Sequence, residues 1–278
     1  MPKAKNAPDF LVIGSQKCAT SWLYDCLSEH PGICVPKQKR EIEYIGGHLY
    51  KEKGLDWYLS LLDHCEENKV KGDVSVEYIV NGESPELLFD LNPDMKFILN
   101  VRDPADRAIS ALKWYTRKGA IPDNQDALKN ELQKAIEAFD ITGYHLMEYN
   151  LHDVLYRGLY NTLLEKYFTF FKKENFLIVH YEDIKKDPNK ILSTVFSFLN
   201  VDAVFVPQSM VTQPKKNSNH RLLVKIERMF PKNKIVGYFV DRLHQKLPES
   251  KSSKESENEI RTLLNNFYAQ HKEMVDIK

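Results

Sequence analysis

The sequence contains no long apolar run. Its start, Met1 to Pro8, is polar and basic, and the apolar stretch that follows, Phe10 to Ile13, is very short. A secretory signal needs a longer apolar core and a spanning helix needs about 20 residues, so neither is expected and a cytoplasmic protein is the default. An excess of charge is also missing. The 39 basic and 39 acidic side chains cancel, which excludes a protein whose main task is to coat nucleic acid or an anionic membrane. Any anion site must be a local cluster. Cysteine is scarce: Cys18, Cys26, Cys34 and Cys65 show no CxxC or metal-ligand spacing and read as reduced cytosolic thiols. At 278 residues the chain can bury a real core without a disulfide or metal staple. No internal repeat, low-complexity block or domain boundary interrupts it, so residues 1–278 read as a single domain.

What is present is a recurring unit of short apolar run, loop and amphipathic helix. That is the pattern of an α/β protein with a central, mainly parallel sheet flanked by helices. Phe10 to Ile13 is a buried strand leading through Gly14-Ser-Gln-Lys-Cys-Ala-Thr20 into a helix with Trp22, Leu23, Cys26 and Leu27 on one face; His30-Pro31-Gly32 stops it. The unit returns at Lys96 to Val101, where Asp103 suits an N-cap and Pro104 the first helical position. It returns again at Phe176 to Tyr181, ahead of a helix from Pro188 to Leu199. Gly72 to Ile79 reads as a further strand, and residues 126–149 as largely helical. Pro248 to Asn258 reads as a mobile loop before a last helix containing Ile260, Leu263, Leu264 and Phe267.

Two strand exits carry chemistry. In Gly14 to Trp22 a helix N-terminus offers unpaired N–H groups and the positive end of its dipole, which favours an anion. Thr20 and Ser21 add hydroxyl donors, and Lys17 adds a full charge suited to an oxygen that gains charge as its bond breaks. The turn lacks the Walker A arrangement, because Lys17 precedes Thr20 by three positions and Gly14 is its only glycine; ATP is disfavoured as donor. The second exit is Val101-Arg-Asp-Pro-Ala-Asp-Arg-Ala-Ile-Ser110. Arg102, at a strand's carboxyl end, faces the crevice where open α/β sheets bind ligands, and its planar fork suits a phosphate.

Together these two segments resemble the nucleotide-binding motifs of sulfotransferases that use 3′-phosphoadenosine-5′-phosphosulfate (PAPS). Gln16-Lys-Cys-Ala-Thr-Ser-Trp-Leu23 is similar to the family's Pro-Lys-Xaa-Gly-Thr-Thr/Ser-Xaa-Leu, and Arg102 to Ser110 to its second motif. Arg40 to Tyr58 is similar to the region after the first helix of heparan sulfate N-sulfotransferases, and Arg157-Gly-Leu-Tyr160 and Tyr181-Glu-Asp183 are family-like as well. The resemblance implies the P-loop-like sulfotransferase fold. It implies the 5′-phosphosulfate on Lys17, Ala19, Thr20, Ser21 and Trp22, and the 3′-phosphate on Arg102 and Ser110. It implies Glu41 as general base, Lys17 on the departing phosphate oxygen, 3′-phosphoadenosine-5′-phosphate (PAP) as product, and no metal.

Several departures stand out. Ala19 replaces a glycine and must accept the turn with a Cβ. Glu43 stands where relatives carry His or Gln and is a second candidate for the base. Asp73-Val74-Ser75 replaces a Lys-Ser pair. Lys215, Lys216 and Arg221 either close over the nucleotide's phosphates or lie on a solvated basic loop. His48 and Trp114 are candidates for the acceptor pocket, whereas Trp57 and Tyr58 read as core. Cys18, beside a positive helix terminus, is a candidate oxidisable thiol. The acceptor expected is a small metabolite, as in natural-product tailoring, with a glycan amine permitted by the similarity near Glu41. The rivals are an ATP-dependent phosphotransferase, which would need a metal-binding carboxylate at a strand end, and a non-catalytic binder of sulfated or phosphorylated ligands, which would not need Glu41.

Overall fold

The computed structural model describes residues 6–37, 48–141, 150–211 and 251–271, with backbone alone at 48–49 and 251–255. The chain forms two compact units. Of the described residues, one holds 6–37, 48–102 and 160–211, the other 103–141, 150–159 and 251–271.

The first unit is a five-stranded parallel sheet with helices on both faces. Its strands are β1 (Phe10–Gly14), β2 (Ile33–Cys34), β3 (Val70–Val74), β4 (Lys96–Val101) and β5 (Phe176–His180), in the order β2-β3-β1-β4-β5. Its helices are α1 (Thr20–Glu29), α2 (His48–Ser60, broken at Gly54), α3 (Ser84–Leu91), α7 (Tyr160–Phe168), α8 (Tyr181–Lys186) and α9 (Pro188–Phe198). Buried parallel strands need apolar side chains on both faces, and the strand period of two divides them. Phe10, Val12, Val74 and Ile98 join Leu23 and Leu27 of α1 and Val195 and Phe196 of α9 in one cluster. Phe97 points the other way, into ring contacts with Tyr167 and Phe171 at 5.4 and 4.6 Å. A Cβ on Gly72 would lie 2.1 Å from the Phe10 ring, so the strand has no room for a larger residue there.

The second unit contains α4 (Pro104–Lys118), α5 (Gln125–Glu137), α6 (Leu151–Tyr156) and α10 (Lys251–Gln270). Asp103 caps α4 by accepting from Asp106 N at 2.8 Å, with Pro104 in the first turn, as the sequence led one to expect. Asn124 and Asn150 cap α5 and α6 in the same manner.

Three expectations need correction. The third strand runs from Val70 to Val74, not from Gly72 to Ile79, because beyond Val74 the chain turns and bonds back to β1 through Ser75 N and Ile79 N, onto Val12 O and Ile13 O. Residues 251–258 are helical, not a mobile loop: Glu257, Glu259 and Arg261 pair with Lys113, Lys129 and Asp106 of α4 and α5. Finally, Cys34 and Cys65, expected as separate thiols, form a disulfide with their Cα atoms 5.8 Å apart. Their separation of 31 residues gave no sign of it. No helix among the described residues is long and apolar enough to cross a membrane.

Candidate active site

In the sheet order, β2 and β3 lie on one side of β1 and β4 and β5 on the other. The strand order therefore reverses at β1, and the carboxyl ends of β1, β3 and β4 border the crevice where such sheets bind ligands. Gly14–Thr20, Asp73–Ser75 and Asn100–Arg102 all leave the sheet there.

The Gly14–Thr20 loop is held from β4. Ser15 N donates to Asn100 O at 2.8 Å, and Asn100 Nδ2 donates to Cys18 O at 3.0 Å. Lys17 and Ala19 both adopt left-handed backbone, with φ of 71° and 66°. Ala19 precedes the first residue of α1 and has no side chain with which to cap it, and the first turn of α1 carries no acid. Unlike α4, α5 and α6, α1 thus begins with its N–H groups and positive dipole end directed at the loop without a carboxylate or amide across them. The buried Ser15 hydroxyl and Asn100 Oδ1 have no hydrogen-bond partner among the described residues. Half-buried Lys17, buried Thr20 and exposed Ser21 surround the same turn. The donor set fits an oxyanion such as a phosphate or sulfuryl group.

Trp22 plays a different part. Its indole is buried and Nε1 donates to Met210 O at 3.3 Å, so its backbone N–H is what remains for an anion. On the next strand exit, half-buried Arg102 places its guanidinium 4.7 Å from the centre of the Tyr181 ring, which starts α8 at the end of paired β5. The sequence shows Tyr181 only as part of a family-like tripeptide, and its place under Arg102 comes from the fold.

At the end of β3, Asp73 is buried. It accepts hydrogen bonds from Tyr78 Oη at 2.9 Å and from its neighbour Val74 N at 2.7 Å, while Tyr58 Oη of α2 lies 3.3 Å from Tyr78 Oη. Burial pushes the Asp73 carboxyl up from 3.8 to about 6, against the lowering effect of those two donors. Burial, the Tyr58 hydroxyl and the Asp73 carboxylate push Tyr78 well above the usual phenol value. Sequence reasoning saw Asp73 only as a missing lysine. The signal it lacked was the tyrosine five residues on. Tyr58 is fully buried, in keeping with its reading as core.

The remaining candidates divide. Glu41, Glu43, Lys215, Lys216 and Arg221 lie outside the described residues, and His48 is placed by its backbone alone, at the first position of α2. Ser110 sits half-buried in α4 of the second unit, and Trp114 lies one turn further on, 5.0 Å from the ring of buried Tyr115. Of the strand-end carboxylates a phosphotransferase could use, Asp103 is engaged as the α4 cap, and Asp73 at the end of β3 accepts hydrogen bonds from Tyr78 Oη and Val74 N. Cys18 is fully buried with Sγ 3.8 Å from Tyr160 Oη, and this burial stands against its reading as an oxidisable thiol.

Residues 7–230 match the family model described as the sulfotransferase domain. The chain belongs to the sulfotransferase domain family. It is 27% identical over 277 residues to the mouse bifunctional heparan sulfate N-deacetylase/N-sulfotransferase 4, an alignment that covers 95% of this chain and 29% of that one. Against the human N-deacetylase/N-sulfotransferase 3 it is 30% identical over 202 residues, 70% of this chain and 22% of that one. The chain therefore spans under a third of the length of these curated relatives. Its backbone is similar to the crystal structure of a sulfotransferase from Alicyclobacillus acidocaldarius, with a TM-score of 0.57 at 23% identity, covering 87% of this chain and 97% of the other. That likeness agrees with the expected fold, a parallel sheet flanked by helices.

Proposed function

We propose that this sulfotransferase moves a sulfuryl group from PAPS to a hydroxyl or amine of a small-molecule acceptor. The observation that carries the reading is the loop before α1: left-handed Ala19, an uncapped helix start and Lys17, all beside Arg102 at the next strand exit. In this proposal the backbone N–H groups of Ala19 to Trp22, with the Thr20 and Ser21 hydroxyls, hold the 5′-phosphosulfate. Lys17 supports the phosphate oxygen that gains charge as the sulfur–oxygen bond lengthens, and Arg102 takes the 3′-phosphate. Transfer is in line, with catalysis by positioning and electrostatics, as in phosphoryl transfer. The assignments of Glu41 as base, of Ser110 to the 3′-phosphate, and of Lys215, Lys216 and Arg221 to a covering loop rest on the family resemblance. So does the reading of residues 1–278 as one sulfotransferase domain.

The balanced charge supports a small metabolite over a long polyanion as acceptor, and natural-product tailoring is the corresponding setting. A glycan amine is the second reading, favoured by the relatives named for heparan sulfate N-sulfation. The proposed location is the cytoplasm, where reductants would keep the Cys34–Cys65 pair largely open.

The test is thermal unfolding with PAP beside ADP and ATP–magnesium. A ligand at 100 times its Kd stabilises the folded state by about 2.7 kcal/mol. A shift with PAP that Arg102→Ala abolishes is expected. A shift with ATP–magnesium and none with PAP would overturn the reading in favour of phosphotransfer. Glu41→Gln should then remove turnover while leaving the PAP shift in place; unchanged turnover would reassign the base.

A further inference from the structure

His64 stands beside the one disulfide among the described residues. Its Nε2 lies 3.5 Å from Cys34 Sγ and 3.9 Å from Cys65 Sγ, and the three donor atoms lie within 4.8 Å of one another. Three elements bring them together. Cys34 ends the short edge strand β2, buried Leu62 packs in one cluster with the two cysteines, and the turn after α2 places His64 and Cys65. Both sulfurs belong to residues under 10% exposed, whereas the imidazole side is open to solvent. A purely structural disulfide has no use for an imidazole nitrogen aimed at both of its sulfurs. Two thiolates and an imidazole are the donor set that thiophilic divalent cations select.

We infer that Cys34, His64 and Cys65 form a binding site for a cation of the zinc class, of which the disulfide is the oxidised, metal-free form. Reduction by a dithiol transfers two electrons and two protons to the pair: the sulfur–sulfur bond breaks, two cysteine thiols form, and the dithiol becomes a cyclic disulfide. Zinc then displaces both thiol protons and binds the two sulfurs and Nε2, with water as fourth ligand. About 2.3 Å from zinc to each sulfur requires the sulfurs to part to roughly 3.8 Å, a movement that side-chain rotation on a rigid strand and a solvent-facing turn can supply. In either form the site ties together the two ends of the 34–65 segment, which contains Glu41 and Glu43. The inference is independent of sulfuryl transfer, and its test reads metal, not turnover.

The chain is reduced with a phosphine, desalted without air and titrated with cobalt(II) and zinc(II) against a chromophoric chelator. One zinc per reduced chain is expected, together with a thiolate-to-cobalt charge-transfer band and tetrahedral ligand-field bands. The oxidised chain and Cys34→Ser/Cys65→Ser should show neither, although both keep the buried thiols Cys18 and Cys26. His64→Ala changes an exposed side chain and should weaken zinc binding at least tenfold with the fold intact. The inference is overturned if the reduced chain holds no more zinc than the double-serine variant, or if His64→Ala binds as tightly as the parent.

Discussion

The Tyr78 hydroxyl donates to Asp73 Oδ2 across 2.9 Å in a region where both side chains are almost fully buried. A carboxylate in that position is held at the end of β3 by its hydrogen bonds, and it disfavours its own charged form. The displacement from 3.8 to about 6 is worth on the order of 3 kcal/mol. The folded state holds the proton more tightly than the unfolded chain does. The stability contributed is therefore fully present below about pH 4 and is lost as pH rises through about 6. Asp73→Asn keeps the oxygen that accepts from Val74 N and removes the charge. It should be more stable than the parent at pH 7 by roughly 1–3 kcal/mol, with the advantage shrinking toward pH 4. Urea denaturation of both proteins at pH 4, 5, 6 and 7 checks this, because every other titrating group is common to the pair. Parallel stability curves would mean that Asp73 ionises normally.

Local signals were legible and distant partners were not. Phe10 to Ile13 and Lys96 to Val101 announced themselves through apolar runs, and the start of α4 through the Asp103-Pro104 pair, whose carboxylate does cap that helix; Asp187 caps α9 in the same way. The strand-to-helix turn at Gly14–Thr20 was readable for the same reason, and its lysine and two hydroxyls make it the candidate anion loop. Asp73 depends on two tyrosines from different elements. The polar start of α10 is held by ions of α4 and α5. The Cys34–His64–Cys65 cluster closes across 31 residues. None of these leaves a periodic trace in the chain.

Ala19 sits at φ 66° and ψ 24°, where its Cβ crowds the backbone. A non-glycine residue in that well costs about 1 kcal/mol or more. Glycine would relieve the cost but gives back part of it through greater freedom in the unfolded chain, roughly 0.4–1 kcal/mol. The net expectation for Ala19→Gly is a small rise in Tm, about 1–2 °C, with PAP affinity unchanged or better. Ala19→Val, with a branched Cβ in the same well, should lower Tm by several degrees. Differential scanning calorimetry of the three proteins decides the matter, and a fall for the glycine variant would show that the loop tolerates Cβ at Ala19 without strain.

Arg157 and Asp153 form an ion pair of 2.7 Å inside the second unit, with side chains only 6% and 4% exposed, and Tyr115 donates to the other Asp153 oxygen. Arg157 belongs to a family-like tetrapeptide, yet its guanidinium is engaged in the fold. Arg157→Ala takes a buried carboxylate's cationic partner away and should cost about 3–5 kcal/mol. Adding Asp153→Asn should recover much of that loss, since the uncompensated charge is what destabilises. Equilibrium denaturation of the single and double variants tests this. A double variant no more stable than Arg157→Ala would place the cost in lost packing and not in charge.

Arg102 rests over the Tyr181 ring, and that contact has a consequence for the proposed PAP site. A guanidinium resting over a ring has fewer positions open to it, so its fork is partly oriented when a phosphate arrives. Arg102→Lys retains the charge and loses both the fork and most of the stacking; PAP affinity should fall about tenfold, or ~1.4 kcal/mol. Tyr181→Leu leaves the guanidinium in place without its platform and should weaken PAP by roughly three- to fivefold, in line with 0.5–1 kcal/mol for a partly exposed cation–ring contact. Calorimetric titration with PAP at fixed ionic strength measures both losses, and the double variant should lose little more than Arg102→Lys alone, since the ring acts through the arginine. If Tyr181→Leu binds PAP as tightly as the parent, the ring merely fills space beside Arg102 and the arginine's orientation must come from the end of β4 itself.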